Sequence, residues 1–474
     1  MKKLRLLRFA LLSTVLATTA YIAAPQAPTA SSPQTSAAPT SNTNANDLKP
    51  QRIVTAYTLP PESYRKSQDL SRIYLRFRLI SFAFSVIVLW LILRWGFAPK
   101  YRNIAERVSA NKFLQAATFA PLFFISLDIL QLPFGIYSNW VLRSYGISVQ
   151  GWASWFWDWT KGELIGAILS ILLIYLLFLI IRKSPRRWWL YFWTITLPIG
   201  LLLFFLQPLI IDPLFHKFEP LQTKDPALTA SLERLVQHSG ENIPRERMFW
   251  MGASEKSTAI NAYVAGFGAS KRVVIWDTTI AKMNTPQITY VVGHEMGHYV
   301  LNQTPKLLGA LAAIFFVAFY VGYRTVGWSL KKWGSDWGIR GVEDYAATPC
   351  LILILTLFFF VTGPIGNALS RHYEHQADQY GLEVTHALTP DSEQVAAQAF
   401  QILGEVSYAN PKPNPVGAFL FYDHPAISDR VIQPALQSVG GRKAAGIREI
   451  ASRRNPALSH GPAFFRARGA MGSP

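Results

Sequence analysis

Long apolar blocks recur along this chain, at residues 79–93, 113–142, 164–181, 188–211, 307–323 and 345–369. A helix needs about 20 predominantly apolar residues to cross a bilayer, and the shorter blocks reach that length when flanking Arg or Lys snorkel to the interface. The pattern predicts six membrane-spanning helices. Trp, Tyr, Lys and Arg gather at the block ends, as interfacial anchors do, whereas helices buried in a soluble core have no use for them. Asp128 interrupts the second block, and a charge at that depth predicts a cavity or a partner facing it.

The start of the chain, Met1-Lys2-Lys3-Leu4-Arg5 followed by an apolar run over 9–24, reads as a signal peptide or as a first membrane anchor over 1–24. A Pro/Ser/Thr-rich stretch follows, and residues 25–70 are expected to form a flexible linker. At the other end, 441–474 is rich in Arg, Gly, Ala and Pro with no periodic apolar face, and reads as a basic disordered tail. The polar remainder is concentrated in 212–303 and 370–440, so a single extramembrane domain over 212–440 is expected, interrupted by the last two spans. Within it, Asn261-Ala262-Tyr263-Val264-Ala265-Gly266-Phe267-Gly268 and Lys271-Arg272-Val273-Val274-Ile275-Trp276-Asp277 read as a hairpin, β-branched residues following a Gly-rich turn.

Net charge is +18, from 46 Lys and Arg against 28 Asp and Glu. Much of that basic charge flanks the spans, which argues for a lipid bilayer as the partner and against nucleic acid. Three short connections carry Lys100, Arg102, Arg107 and Lys112, then Arg182, Lys183, Arg186 and Arg187, then Arg324, Lys331, Lys332 and Arg340. With alternating spans they share one side, and basic loops mark the cytoplasm. The larger polar domain is therefore expected on the extracytoplasmic side. The single cysteine, Cys350, excludes an intrachain disulfide.

The chemistry lies in Gly293-His294-Glu295-Met296-Gly297-His298. Residues four apart stand one above the other on a helix, so His294 and His298 can bind one Zn²⁺, and Glu295 can act as general base towards the activated water. Chance predicts roughly 0.005 H-E-x-x-H runs in a chain with 9 His in 474 residues, so coincidence is a poor explanation. The plainer alternative is a helix with two solvated histidines. A catalytic zinc takes three protein ligands and keeps one position open. Downstream, Ser370-Arg371-His372-Tyr373-Glu374-His375-Gln376-Ala377-Asp378 sets Glu374 and Asp378 one turn apart on one helix face. Glu374 would complete a His₂Glu set and Asp378 would accept the outer N–H of a ligand imidazole. His372 and His375 are rival ligands, and a polar helix with solvated charges remains open at this stage. An edge strand beside the zinc helix would hold an extended peptide by its main chain, which makes Asn261, Ala262 and Tyr263 candidate substrate contacts.

These segments together resemble the type I CAAX prenyl proteases, integral-membrane zinc metalloendopeptidases. The resemblance runs through Pro213–Leu221, Asn261–Tyr263, Gly293–His298, Glu374-His375-Gln376-Ala377-Asp378 and Tyr422-Asp423-His424-Pro425-Ala426, with 71–211 similar to that family's amino-terminal membrane half. It implies a mainly α fold, a bundle of six to seven membrane helices around an intramembrane chamber, capped by a gluzincin-like domain with a small sheet. It also implies one zinc per chain, Glu374 as third ligand, and His424 near the metal as oxyanion stabiliser. A peptide or protein substrate is implied, prenylated or membrane-associated, with CAAX processing or membrane-protein quality control as the role. The signal-like start and the outward domain suggest a bacterial relative in the cell membrane. The competing reading is a noncatalytic polytopic membrane protein or transporter with a closed structural metal site, which would supply a fourth protein ligand.

Overall fold

The structure, a computed structural model, describes residues 52–438 except 267 and 390. Six of its helices are long and apolar enough to cross a membrane. The first four are α1 (Pro61–Arg94), α3 (Lys112–Ser144), α4 (Trp152–Lys183) and α5 (Trp188–Leu206), with the short amphipathic α2 (Phe97–Val108) between α1 and α3. α5 runs on through a π turn, Gln207–Ile211, into Asp212–Phe215. Pro208 lies in that turn and has no N–H to donate, a recognised cause of local change in helix geometry. Large apolar side chains such as Ile80, Ile87, Ile168, Leu172, Leu202, Val361 and Ile365 face outward on these helices. In water such a surface would be costly, and in lipid it is matched.

The extramembrane domain begins with β1 (Phe218–Pro220) and α6 (Pro226–His238), followed by β2 (Met248–Met251), β3 (Ala262–Ala265) and β4 (Arg272–Trp276). The four strands make one sheet in the order β1-β2-β4-β3. β3 and β4 pair antiparallel, as the hairpin pattern implies, while β2 joins β4 in parallel and β1 closes the far edge. The zinc-motif helix α7 (Thr285–Val300) packs beside the sheet, and α8 (Gln303–Trp333) and α9 (Thr348–His386) return through the membrane. α10 (Ser392–Ser407), α11 (Pro415–Phe421) and α12 (Ile427–Ser438) finish the described chain. One buried apolar cluster joins α6, β2, β3, β4, α7, α9 and α10, and a second lies among the membrane helices.

Two expectations change. A linker through residue 70 does not hold, since α1 already starts at Pro61, and the residues before it are docked. Val54 exchanges hydrogen bonds with the Gln394 side chain, Thr58 with Gln401, and the Tyr57 hydroxyl donates to Ala409 O at 2.9 Å. Glutamines of α10 thus stand in for a pairing strand. The second change concerns α9, where the last apolar block and the acidic segment after it form one continuous helix of 39 residues. The expected segments over 1–24 and 441–474 lie outside the described residues.

Candidate metal centre

α7 begins with a capping box, Asn284 Oδ1 accepting from Gln287 N and Gln287 Oε1 from Asn284 N, both at 3.0 Å. That cap fixes the start of the helix and hence the face on which His294 and His298 project. Three glycines then let α7 and α9 approach almost backbone to backbone. A Cβ at Gly293 would lie 3.0 Å from Val384, one at Gly297 would lie 3.2 Å from the Ala377 Cα, and one at Gly381 would lie 3.1 Å from His294 N. Each glycine weakens a helix by about 0.5–1 kcal/mol relative to Ala, and here the close approach of the two helices is what it permits.

The crossing brings His294, His298 and Glu374 together, with one ligand atom from each within 4.8 Å of the other two. His298 Nε2 stands 3.3 Å from Glu374 Oε1, and His294 Nε2 stands 3.6 Å from Glu374 Oε2. For bonds of 2.0–2.1 Å, the edge of a tetrahedral zinc site is roughly 3.4 Å. Glu374 is fully buried, yet neither of its oxygens nor His298 Nε2 makes a hydrogen bond. Buried polar atoms left unpaired and facing one another are costly unless something else satisfies them. The donor set, two imidazoles and a carboxylate, fits zinc. Among the described residues no fourth His, Cys, Asp or Glu joins the group.

Around this centre the remaining candidates fall into place unevenly. Asp378, almost wholly buried, places a carboxylate oxygen 2.8 Å from His294 Nδ1, the nitrogen that must carry the proton for Nε2 to face a metal. Glu295 is half-buried on the same helix, close enough to act electrostatically on His298. His424 follows α11, with Nε2 3.6 Å from Glu374 Oε2 and Nδ1 2.9 Å from Asp423 Oδ1. Its loop is tied to α9 by Asn367, which donates to Leu420 O at 2.7 Å, and by Arg371, which donates to Tyr422 O. The rivals stay out of the group. His372 is exposed and His375 contacts Gln379 at 3.3 Å.

The β3 candidates are a correction in part. Along a strand, side chains alternate between faces, and Ala262 and Val264 belong to the core on the α7 side. Tyr263 points the other way, beside Phe218, Phe249 and Trp276, with its hydroxyl 3.5 Å from Asp212. Its ring therefore does not line the metal side. Ala262 is 1% exposed, and the outward carbonyl of Val264 already accepts from the Tyr299 hydroxyl at 3.2 Å. Asn261, at the head of the strand, is half-buried, and the Thr279 hydroxyl both accepts from its N–H and donates to its carbonyl.

Arg430 is the residue that motif reading overlooked. From α12 it donates to Asp378 through Nε at 2.8 Å and through Nη2, and Nη2 lies 3.4 Å from Glu374 Oε2. Its guanidinium rests 4.4 Å from the Phe400 ring centroid. Burial works against its charge, but Asp378 and Glu374 more than offset that, so its pKa is raised. The only local hint is a cation beside Val431 in a short helix, too common a pattern to single out.

Comparison with known proteins agrees with this picture. A family model described as Peptidase family M48 matches residues 222–435, and one described as CAAX prenyl protease N-terminal, five membrane helices, matches residues 44–217. The uncharacterized metalloprotease YhfN of Bacillus subtilis (strain 168) is 33% identical over 342 residues, covering 72% of this chain and 78% of its own length. A CAAX prenyl protease 1 homolog of Arabidopsis thaliana is 26% identical over 391 residues, 78% of this chain and 87% of the relative. The crystal structure of S. mikatae Ste24p shares the fold, with a TM-score of 0.68 at 24% identity over 79% of this chain and 88% of that one.

Proposed function

This chain belongs to peptidase family M48 as an integral-membrane, multi-pass zinc metalloendopeptidase, and we propose that His294, His298 and Glu374 hold its zinc while Glu295 carries the proton. Bound there, zinc would lower the pKa of a water towards about 7 and polarise a peptide carbonyl. Glu295 takes the proton of the attacking water and hands it to the leaving amine. His424, its ring held through Nδ1 by Asp423, stabilises the charge that develops on the carbonyl oxygen. Asp378 keeps His294 in the binding tautomer, and Arg430 holds Asp378 ionised. Asn261, at the head of β3, has both backbone groups taken by Thr279, which leaves its side chain as the part that meets an extended substrate.

The single observation that carries this reading is the fully buried Glu374 carboxylate, without a hydrogen bond at either oxygen, facing two imidazole nitrogens at 3.3 and 3.6 Å. A structural site would close that position with a fourth protein ligand. His298 precedes a membrane helix by five residues and Glu374 lies on another, which supports cleavage within the membrane bundle rather than on a separate soluble lobe.

Two substrate classes fit: a prenylated C-terminal CAAX peptide, as the relatives' names indicate, and an unfolded membrane-associated polypeptide, as in quality control. The test is hydrolysis in detergent of a farnesylated CAAX peptide beside an unprenylated unfolded chain, before and after chelation. Zinc-dependent cleavage of either supports the peptidase, and the preferred one names the client. Failure on both, by protein that holds stoichiometric zinc, sinks the catalytic reading in favour of a structural site.

We also propose that the zinc end faces away from the cytoplasm. Arg340 pairs with Glu106 at 2.7 Å and Arg182 reaches Glu343 O and Tyr345 Oη at 3.3 Å, which gathers the basic loops at the other end of the bundle. Single cysteines at exposed sites in 221–241, in a Cys350→Ala background, should label with an impermeant thiol reagent on intact cells. Those in 182–187 should label only after lysis, and the reverse pattern would turn the enzyme round.

A further inference from the structure

To bind a metal through Nε2, an imidazole must carry its proton on Nδ1, and a buried N–H needs an acceptor. For His294 that acceptor is Asp378. His298 Nδ1 finds a different one, Gln303 Oε1, at 2.7 Å. Once the amide oxygen accepts, the orientation of the rest follows: Gln303 Nε2 donates to Gln376 Oε1 at 3.0 Å, and Gln376 Nε2 donates to His372 Nε2 at 3.1 Å. The chain of donors runs one way, from the metal side to exposed His372. Gln303 is 1% exposed, so bulk water does not compete with its carbonyl for His298 Nδ1.

The position matters as much as the contact. Asn302 takes a left-handed conformation, φ 52°, which ends the run of α7 and lets Gln303 start α8. Gln376 sits on α9, two residues past Glu374. The amide of Gln303 therefore joins the zinc helix to two membrane-spanning helices through one buried side chain.

We infer that Gln303 is the positioning residue of His298, the neutral counterpart of Asp378 on His294, and that it anchors the second imidazole to the start of a membrane helix. The inference rests on the reading of His298 as a zinc ligand. It differs from a merely structural role in what it moves: zinc affinity of the folded protein, and not only the stability of the metal-free chain. Removal of an outer partner of a ligand histidine weakens metal binding about 10–100-fold.

The experiment uses the full chain in detergent, with zinc affinity read by competition against a chelator and unfolding of the zinc-free protein read in parallel. Gln303→Leu should weaken zinc binding about 10–100-fold, while the zinc-free protein still unfolds cooperatively at a midpoint lowered by the stranded N–H. Gln303→Asn, which keeps a polar helix start but is one methylene too short to reach Nδ1, should do the same and serves if the Leu variant does not fold. Gln303→Glu restores an acceptor and should recover most of the affinity. Parental affinity in the Leu and Asn variants, or a Glu variant as weak as they are, overturns the inference. A parent that binds no zinc would instead overturn the metal reading on which it rests.

Discussion

Two buried arginine–aspartate pairs, one just before α9 and one in its last third, are separated by about 45 Å of helix at 1.5 Å per residue, and they differ in what is left over. At one end Arg102 meets Asp344 at 2.5 Å, and every polar atom of the two side chains has a hydrogen-bond partner. Asp344 also accepts from Arg340 N and Ala346 N, each at 3.0 Å, while Arg102 donates to Gly338 O at 3.2 Å and to Asn103 Oδ1. At the other end Arg430 bonds both oxygens of Asp378 and His294 faces it at 2.8 Å, but neither oxygen of Glu374 beside it makes a hydrogen bond, Arg430 standing 3.4 Å off. The first pair is a closed clamp on the loop before α9. The second is a support for a group whose own valences are reserved. Burial and charge are alike at the two ends, and the unfilled valence is what separates a site from a clamp.

The largest effect that would break this contrast is on turnover. Glu295→Gln preserves size and the zinc ligands but cannot take a proton, so activity should fall by about 10²–10⁴-fold with zinc content unchanged. Asp344→Asn, at the closed end, should leave the turnover of folded enzyme as it was. Metal analysis beside peptide hydrolysis checks both, and an active Glu295→Gln enzyme would remove the base from the mechanism.

Next in size is stability. Arg102→Met and Arg430→Met each strand a buried carboxylate, which typically costs about 3–5 kcal/mol. The two should part company when zinc is added. A dication beside Glu374 and Asp378 takes over part of the charge that Arg430 balanced, and binding to the folded state alone raises its stability. Thermal unfolding should then rise more with zinc in Arg430→Met than in Arg102→Met, which gains only what the parent gains. An equal response would mean the two ends are not different in kind.

The sequence made the six spans and the zinc motif visible because each is dictated by a short-range rule: a bilayer sets the length of an apolar run, and one helical turn sets the spacing of His294 and His298. Glu374 was visible as a candidate, but its choice over His375 depends on which face of α9 meets Gly293 and Gly297, a tertiary fact. Arg430 lies 52 residues beyond Asp378, and nothing local marks it. The four residues of β2 show no alternation that would announce a parallel partner for β4, and the docking of 52–60 relies on glutamines of α10 far along the chain. Charge counting also misjudged one residue, since Arg102, taken for a loop charge at the membrane surface, is buried against Asp344.

The smallest expected effect is the most discriminating, because it changes one charge and almost no volume. In Asp378→Asn the amide oxygen can still accept from His294 Nδ1, so the tautomer and the ring orientation survive, and the site should still fill with zinc. What is lost is the negative charge that makes His294 a stronger donor and that neutralises Arg430. With a neutral amide in its place, the guanidinium 3.4 Å from Glu374 Oε2 competes more strongly for that carboxylate. Zinc affinity should fall about 10–100-fold, and chelator competition on the full chain in detergent would read it. Asp344→Asn is the matched change at the closed end and should leave zinc affinity untouched. If the two variants bind zinc alike, Asp378 is a clamp of the same kind as Asp344, and the metal centre ends at its three ligands.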